Sequence, residues 1–192
     1  HTIRFDKESY SEDAIFEFIT LNPQINDLEL NSMKLFSWTD ISAVVKLNLQ
    51  HLKITGDFFD IKEETNFDKF VKLQKNLQSI LVYPTKWSTF KTVWSSIPTC
   101  KTFILRNLST ISDSYPTYLN THLSITKLKI HTPVEFYEVL LSATPNLECL
   151  QVPSLSNAAI DFIAHNLRSL KVIKLLNSDG IMEQYEELKF SN

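Results

Sequence analysis

Thr144-Pro145-Asn146-Leu147-Glu148-Cys149-Leu150-Gln151-Val152 decides how the chain is read, because variants of it recur along the sequence. A proline stands two residues before one apolar residue and five before another at Pro145/Leu147/Leu150, Pro23/Ile25/Leu28 and Pro98/Cys100/Phe103. The pattern Asn-Leu-x-x-apolar-x-Val recurs from Asn76-Leu77 to Val82, from Asn146-Leu147 to Val152 and from Asn166-Leu167 to Val172. Repetition at fixed offsets is the signature of stacked supersecondary units that bury their apolar edges only against one another.

Numbered by the first residue of each apolar-x-apolar pair, the units begin at Ile3, Leu28, Leu47, Ile80, Phe103, Leu128, Leu150 and then Leu170 or Ile173. The Asn-Leu motif favours Leu170 for the last unit, whereas the spacing favours Ile173. The mean spacing is about 24.5 residues, enough for one strand and one helix. The long interval after Leu47 holds Gly56-Asp57-Phe58-Phe59-Asp60 through Glu63-Glu64, which reads as a loop ahead of its helix. Between the pairs, apolar residues three or four apart predict helices: Ala14/Phe18, Phe67/Phe70/Leu73, Phe90/Val93/Trp94, Phe136/Val139/Leu140 and Ala159/Phe162. Ser9 with Glu12 makes a capping-box pattern, and Pro23, Pro98 and Pro145 sit where a helix must end before the next strand.

These residues give the chain its family likeness. It resembles the leucine-rich-repeat proteins, in the irregular ribonuclease-inhibitor-like form found behind F-box motifs, over nearly its whole length. The strands match L-x-x-L-x-L, but Met33, Leu52, Thr85, Leu108, Pro133 and Leu155 take the place where the family carries Asn or Cys. The resemblance implies an α/β solenoid of about seven or eight repeats, with a curved parallel sheet on the concave side and helices on the convex side. Residues 1–192 then read as a single leucine-rich-repeat domain. Because Ile3-Arg4-Phe5 already looks like a repeat strand with no polar cap before it, a fragment, or a chain lacking an upstream domain, is expected.

Composition narrows the function classes. The chain is 43% hydrophobic and 21% charged, ordinary globular values, so disorder is not expected. A net charge of -3 gives no general attraction to phosphate, and nucleic acid is not an expected partner. No apolar run approaches the roughly 18 residues of a membrane span. With only Gly56 and Gly180, neither common phosphate-cradling glycine loop can be written, and no cofactor is expected. The histidines at 1, 51, 122, 131 and 165 are scattered, with no H-E-x-x-H or C-x-x-C, so no metal site is expected. Asn107-Leu108-Ser109 is a lone glycosylation sequon.

Cys100 and Cys149 fall on strands two repeats apart, roughly 10 Å in a parallel sheet, beyond the reach of a disulfide. Free thiols favour a reducing compartment, hence a cytoplasmic location, with a secreted one as the alternative. Cys149 is also the best nucleophile candidate, with His131 as its base. The two are offset by four strand positions, about 13 Å, so no catalytic pair is expected and the chain does not read as an enzyme. Lys127 is the residue in register beside Cys149. Phe67, Phe70, Phe90, Phe136 and Phe162 read as helix-packing residues, and Glu63-Glu64 and Glu183 through Glu187 as solvated surface.

The face of the sheet that remains carries the functional reading. Side chains alternate along a strand, so the residues between core positions form three rows on the concave side. The first reads Thr2, Asp27, Lys46, Ser79, Thr102, Lys127, Cys149. The second reads Arg4, Glu29, Asn48, Leu81, Ile104, Lys129, Gln151 and then Lys171 or Lys174, and the third Asp6, Asn31, Gln50, Tyr83, Arg106, His131, Pro153. An apolar centre with a basic C-terminal half points to a protein partner at Leu81, Tyr83, Ile104, Arg106, Lys127, Lys129 and His131. The expected function is a non-catalytic protein-protein interaction module. The resemblance extends this to substrate recognition for a ubiquitin ligase, and the alternative is a secreted leucine-rich-repeat binding protein, an effector or receptor fragment.

Overall fold

The computed structural model describes residues 2–6, 12–31, 47–55, 64–83, 87–97, 99–106, 117–131, 136–176 and 185–189. Short runs become strands, all but the last with an apolar residue at every second position: β1 Thr2–Asp6, β2 Asp27–Asn31, β3 His51–Thr55, β4 Ser79–Tyr83, β5 Thr102–Leu105, β6 Lys127–Ile130, β7 Cys149–Val152, β8 Val172–Leu176 and β9 Tyr185–Lys189. They form one sheet in chain order. The first eight are parallel, as strands joined through helices must be, and β9 runs antiparallel to β8. The described helices are α1 Glu12–Leu21, α2 Glu64–Leu73, α3 Trp87–Ser96, α4 Tyr137–Ser142 and α5 Asn157–Asn166. The fold is therefore α/β with an open parallel sheet, an arrangement compatible with a solenoid.

Each unit repeats in space. The apolar residue three positions before the strand reference is buried every time, at Ile25, Leu49, Leu77, Cys100, Ile125, Leu147 and Leu170. The residue that follows it offers its carbonyl to the next unit, where two successive N–H groups donate to it. Asn26 O accepts from Gln50 N and His51 N, at 2.7 and 3.0 Å, and Gln50 O accepts from Gln78 N and Ser79 N, at 2.8 and 3.0 Å. The same bond pair continues through Gln78, Lys101, Thr126 and Glu148 to Lys171 N and Val172 N. In register with these come the inner strand residues Leu28, Leu52, Ile80, Phe103, Leu128, Leu150 and Ile173. Each fully buried Leu or Ile of this kind contributes about 1.5–3 kcal/mol.

Helix residues close the other side of the same core. Ile15 and Ile19 of α1, Phe70 of α2, Phe90 and Trp94 of α3, Leu140 and Leu141 of α4 and Ile163 of α5 belong to one cluster with the strand residues. An aromatic knot sits at its middle: Trp94 meets Phe103 edge-on at 5.0 Å, and Trp87 meets Phe136 at 4.5 Å. Ser156 caps α5, its Oγ accepting from Ala159 N at 3.1 Å, which satisfies one of the orphan donors of the first turn.

Two expectations change, one left open is decided, and an acidic stretch gains a strand. The third unit begins at Leu52, because Leu28 pairs with Leu52 and Leu52 with Ile80. Leu47 and Leu49 are buried but precede the strand, and Leu47-Asn48-Leu49 imitates the apolar-x-apolar spacing of Leu52-Lys53-Ile54. Gln74, 1% exposed at the end of α2, helps to fix the true register: its Oε1 accepts from Leu49 N at 3.3 Å while its Nε2 donates to Phe70 O at 3.3 Å. The last unit takes Ile173, with Leu170 in the turn before it. In α1 the buried face is Ile15/Ile19, and Ala14 and Phe18 lie outward, although Phe18 still meets Phe5 edge-on at 5.8 Å. The acidic stretch from Glu183 supplies β9 from Tyr185 onward, where backbone pairing with the edge of β8 does what weak side-chain alternation does not announce. Ser9 of the capping-box pattern and the 56–63 loop lie outside the described residues.

His122 is a polar member of this interior. Its ring packs edge-on to Trp94 at 4.9 Å, and its backbone N–H donates to Ala143 O at 2.7 Å. Burial holds the imidazole below its ordinary pKa, partly offset by a hydrogen bond to the Trp94 backbone. The folded state therefore binds fewer protons than the unfolded one wherever an unfolded histidine would be charged. The stability linked to His122 is full above the unfolded pKa of about 6.5 and is lost as pH falls below it. Urea midpoints should drop between about pH 7.5 and about pH 5.5, and the drop should shrink in His122→Phe. An equal drop in the variant would contradict this assignment.

Candidate functional site

Alternation along each strand leaves one set of side chains on the face opposite the helices. The pattern is direct in β4 and β5, where Ile80, Val82, Phe103 and Leu105 are buried and Ser79, Leu81, Tyr83, Thr102 and Ile104 are half-buried. All seven predicted site residues lie on this open face. Leu81, Ile104 and Lys129 are paired across β4, β5 and β6, and Thr102, Lys127 and Cys149 across β5, β6 and β7. The ladder runs one residue past the strand ends, with Arg106 N donating to Val82 O at 3.0 Å and His131 N to Leu105 O at 2.9 Å. Tyr83, Arg106 and His131 thus form the third row.

Arg106 is held by its neighbour Tyr83. Its Nη1 donates to Tyr83 Oη at 2.7 Å, and its guanidinium carbon lies 5.6 Å from the centre of the Tyr83 ring. The contact found combines cation-π proximity with a hydrogen bond to the phenol oxygen, so both side chains lose rotamer freedom in the free protein.

The N-terminal third of the face differs in character, and the corrected register is the reason. Lys46, Asn48 and Gln50 give way to His51, Lys53 and Thr55. Lys53 Nζ then meets Glu29 Oε1 at 2.5 Å, with Arg4 Nε 3.7 Å from the same oxygen. His51 Nε2 lies 3.8 Å from Asp27 Oδ1, and its Nδ1 is 2.6 Å from Ser79 Oγ. Sequence reasoning missed this charge network, and the signal that could have found it is Leu49-x-x-Leu52-x-Ile54, which matches Ile25-x-x-Leu28-x-Leu30. Towards the C-terminal end Gln151, expected to be open, is only 6% exposed, while Lys174 takes the middle-row place beside it.

Register puts Cys149 beside Lys127 and four positions from His131, so the thiol and imidazole stay at opposite ends of neighbouring strands. Among the described residues no three His, Cys, Asp or Glu side chains are grouped to hold a metal ion, and no helix is long and apolar enough to cross a membrane. On the helix side, a cavity of about 260 Å³ is lined by Tyr118, Leu119, Val139 and Phe162, with Glu138 as its acidic group. No protein-family model matches the chain, and neither does any curated protein sequence.

The two cysteines stand in contrasting surroundings. Cys100 is buried, and loss of solvation pushes its thiol up to about 12, while its Sγ lies 3.0 Å from Thr102 O and 3.4 Å from Gln78 O. Cys149 is half-buried on the open face. An aromatic disulfide reagent should therefore label Cys149 alone in the native chain, and both residues in denaturant without prior reduction. Native labelling of Cys100 as fast as Cys149 would overturn the contrast.

Proposed function

We propose that the chain is a leucine-rich-repeat solenoid that acts as a non-catalytic binding module and takes a protein partner on the open face of its sheet, centred on β4 to β6. The observation that carries this reading is the group Leu81, Tyr83, Ile104 and Arg106 on two adjacent strands, with Arg106 already held by Tyr83. Half-buried aliphatic side chains rimmed by polar ones have the make-up of an interface centre, and Tyr and Arg are the residue types that most often dominate binding energy there. The resemblance of the repeat to those behind F-box motifs supports reading the partner as a substrate presented for ubiquitination.

The test begins with affinity capture from the source, identification of the bound protein by mass spectrometry, and calorimetric titration of the purified pair. Tyr83→Ala and Arg106→Ala should each cost about 2 kcal/mol, roughly thirtyfold in affinity, while Thr102→Ala costs little. A partner bound as tightly by the double variant as by the parent would move the binding surface to the helices or the ends of the sheet.

A further inference from the structure

We propose that the segment docking on β4 to β6 is acidic, with at least one aliphatic or aromatic side chain: its apolar group seats on Leu81 and Ile104, and its carboxylates meet Arg106 and Lys127. This rests on the reading of the open face as a binding surface and adds the chemistry of what binds.

The argument is the uneven distribution of charge on one face. On β1 to β3 the cations Arg4 and Lys53 converge on Glu29, and His51 stands against Asp27 and Ser79, so this third of the face is internally compensated. From β4 to β7 the open-face positions include Arg106, Lys127, Lys129 and His131, and no Asp or Glu occupies such a position on these strands among the described residues, whereas Lys174 on β8 is paired with Glu187 of β9. The whole chain carries -3, so this is a local concentration of positive charge against an acidic background. Such a field selects and steers an acidic partner and repels a basic one.

Geometry sets the footprint. Neighbouring strands lie about 4.8 Å apart, so the step from Leu81 through Ile104 to Lys129 covers roughly 10 Å, within reach of one short segment. The apolar pair lies on β4 and β5, with Arg106 just past the end of β5 and Lys127 on β6, so an apolar side chain and acids a few residues away engage together. Nucleic acid fits less well. The centre of the patch is aliphatic, and the one aromatic ring at these positions, Tyr83, has its hydroxyl tied to Arg106, whereas unpaired bases bind by stacking on accessible aromatic faces.

The experiment is selection of a phage-displayed random dodecapeptide library on the whole chain, followed by fluorescence anisotropy with the enriched peptides made synthetically. Their binding is compared in the parent, Lys127→Glu and Ile104→Ser, with circular dichroism confirming that both variants stay folded. The proposal expects peptides in which Asp or Glu flank Leu, Phe or Trp, losing about tenfold or more in affinity on Lys127→Glu, and weakening with added salt. Peptides without acidic enrichment, insensitive to Lys127→Glu but weakened by Ile104→Ser, would overturn the acidic assignment and leave the binding face standing. Selection of peptides indifferent to both substitutions, or of none, would overturn both. A single-stranded oligouridine that displaces the acidic peptides at lower concentration than the peptides themselves would make nucleic acid the occupant and overturn the proposal.

Discussion

One backbone interaction sets the order of everything else: the carbonyl two residues before each strand reference accepts two N–H groups from the following unit. From Asn26 to Glu148 the acceptor in one pair is itself a donor in the pair before it, or directly follows from it, so peptide groups align in a file across the sheet. Aligned hydrogen bonds polarise one another, and an unmade bond at a buried turn costs roughly 1–3 kcal/mol, so slippage of a single unit is penalised at both of its neighbours. The apolar residue that precedes each of these six carbonyls is buried, which anchors the turn from the core side. Register, and with it every row on the open face, follows from this pairing of a hydrogen-bond file with an apolar file.

The sequence made the architecture legible because apolar residues at both strand and turn positions repeat, and a period of about 24 leaves space for one helix between strands. What it left ambiguous has a physical cause in each case. Leu47-Asn48-Leu49 and Leu52-Lys53-Ile54 offer the same alternation, and all four apolar residues are buried, so hydrophobicity alone cannot rank them. The deciding partners are Asn26 O and the Gln74 side chain, one a unit upstream and the other at the end of the following helix. In α1, Ala14/Phe18 and Ile15/Ile19 are both spaced at one turn, and tertiary contact chose the second. β9 carries too few apolar residues to declare itself, and its strand depends on the free edge that β8 presents.

The candidate site was legible where the register was right. Leu81, Tyr83, Ile104, Arg106, Lys127, Lys129 and His131 all belong to units whose reference residues were read correctly, and they share one face as expected. The N-terminal rows were misread with the third unit, which hid the convergence of Arg4 and Lys53 on Glu29. Such pairs cancel the field on β1 to β3, whereas from β4 to β7 the open face carries cations and no Asp or Glu among the described residues. Position along the array thereby becomes a gradient in chemistry, from neutralised charge through aliphatic surface to positive charge.

The central claim is that this face, and not the helix side, meets the partner. Methyl resonances report it directly, because Leu81 and Ile104 carry methyl groups on the open face while Leu123 and Ile160, 66% and 49% exposed, do so away from it. In a methyl-labelled sample titrated with the captured partner, the account predicts that the Leu81 and Ile104 signals shift while those of Leu123 and Ile160 stay in place. Shifts confined to Leu123 and Ile160, with Leu81 and Ile104 unmoved, would contradict it.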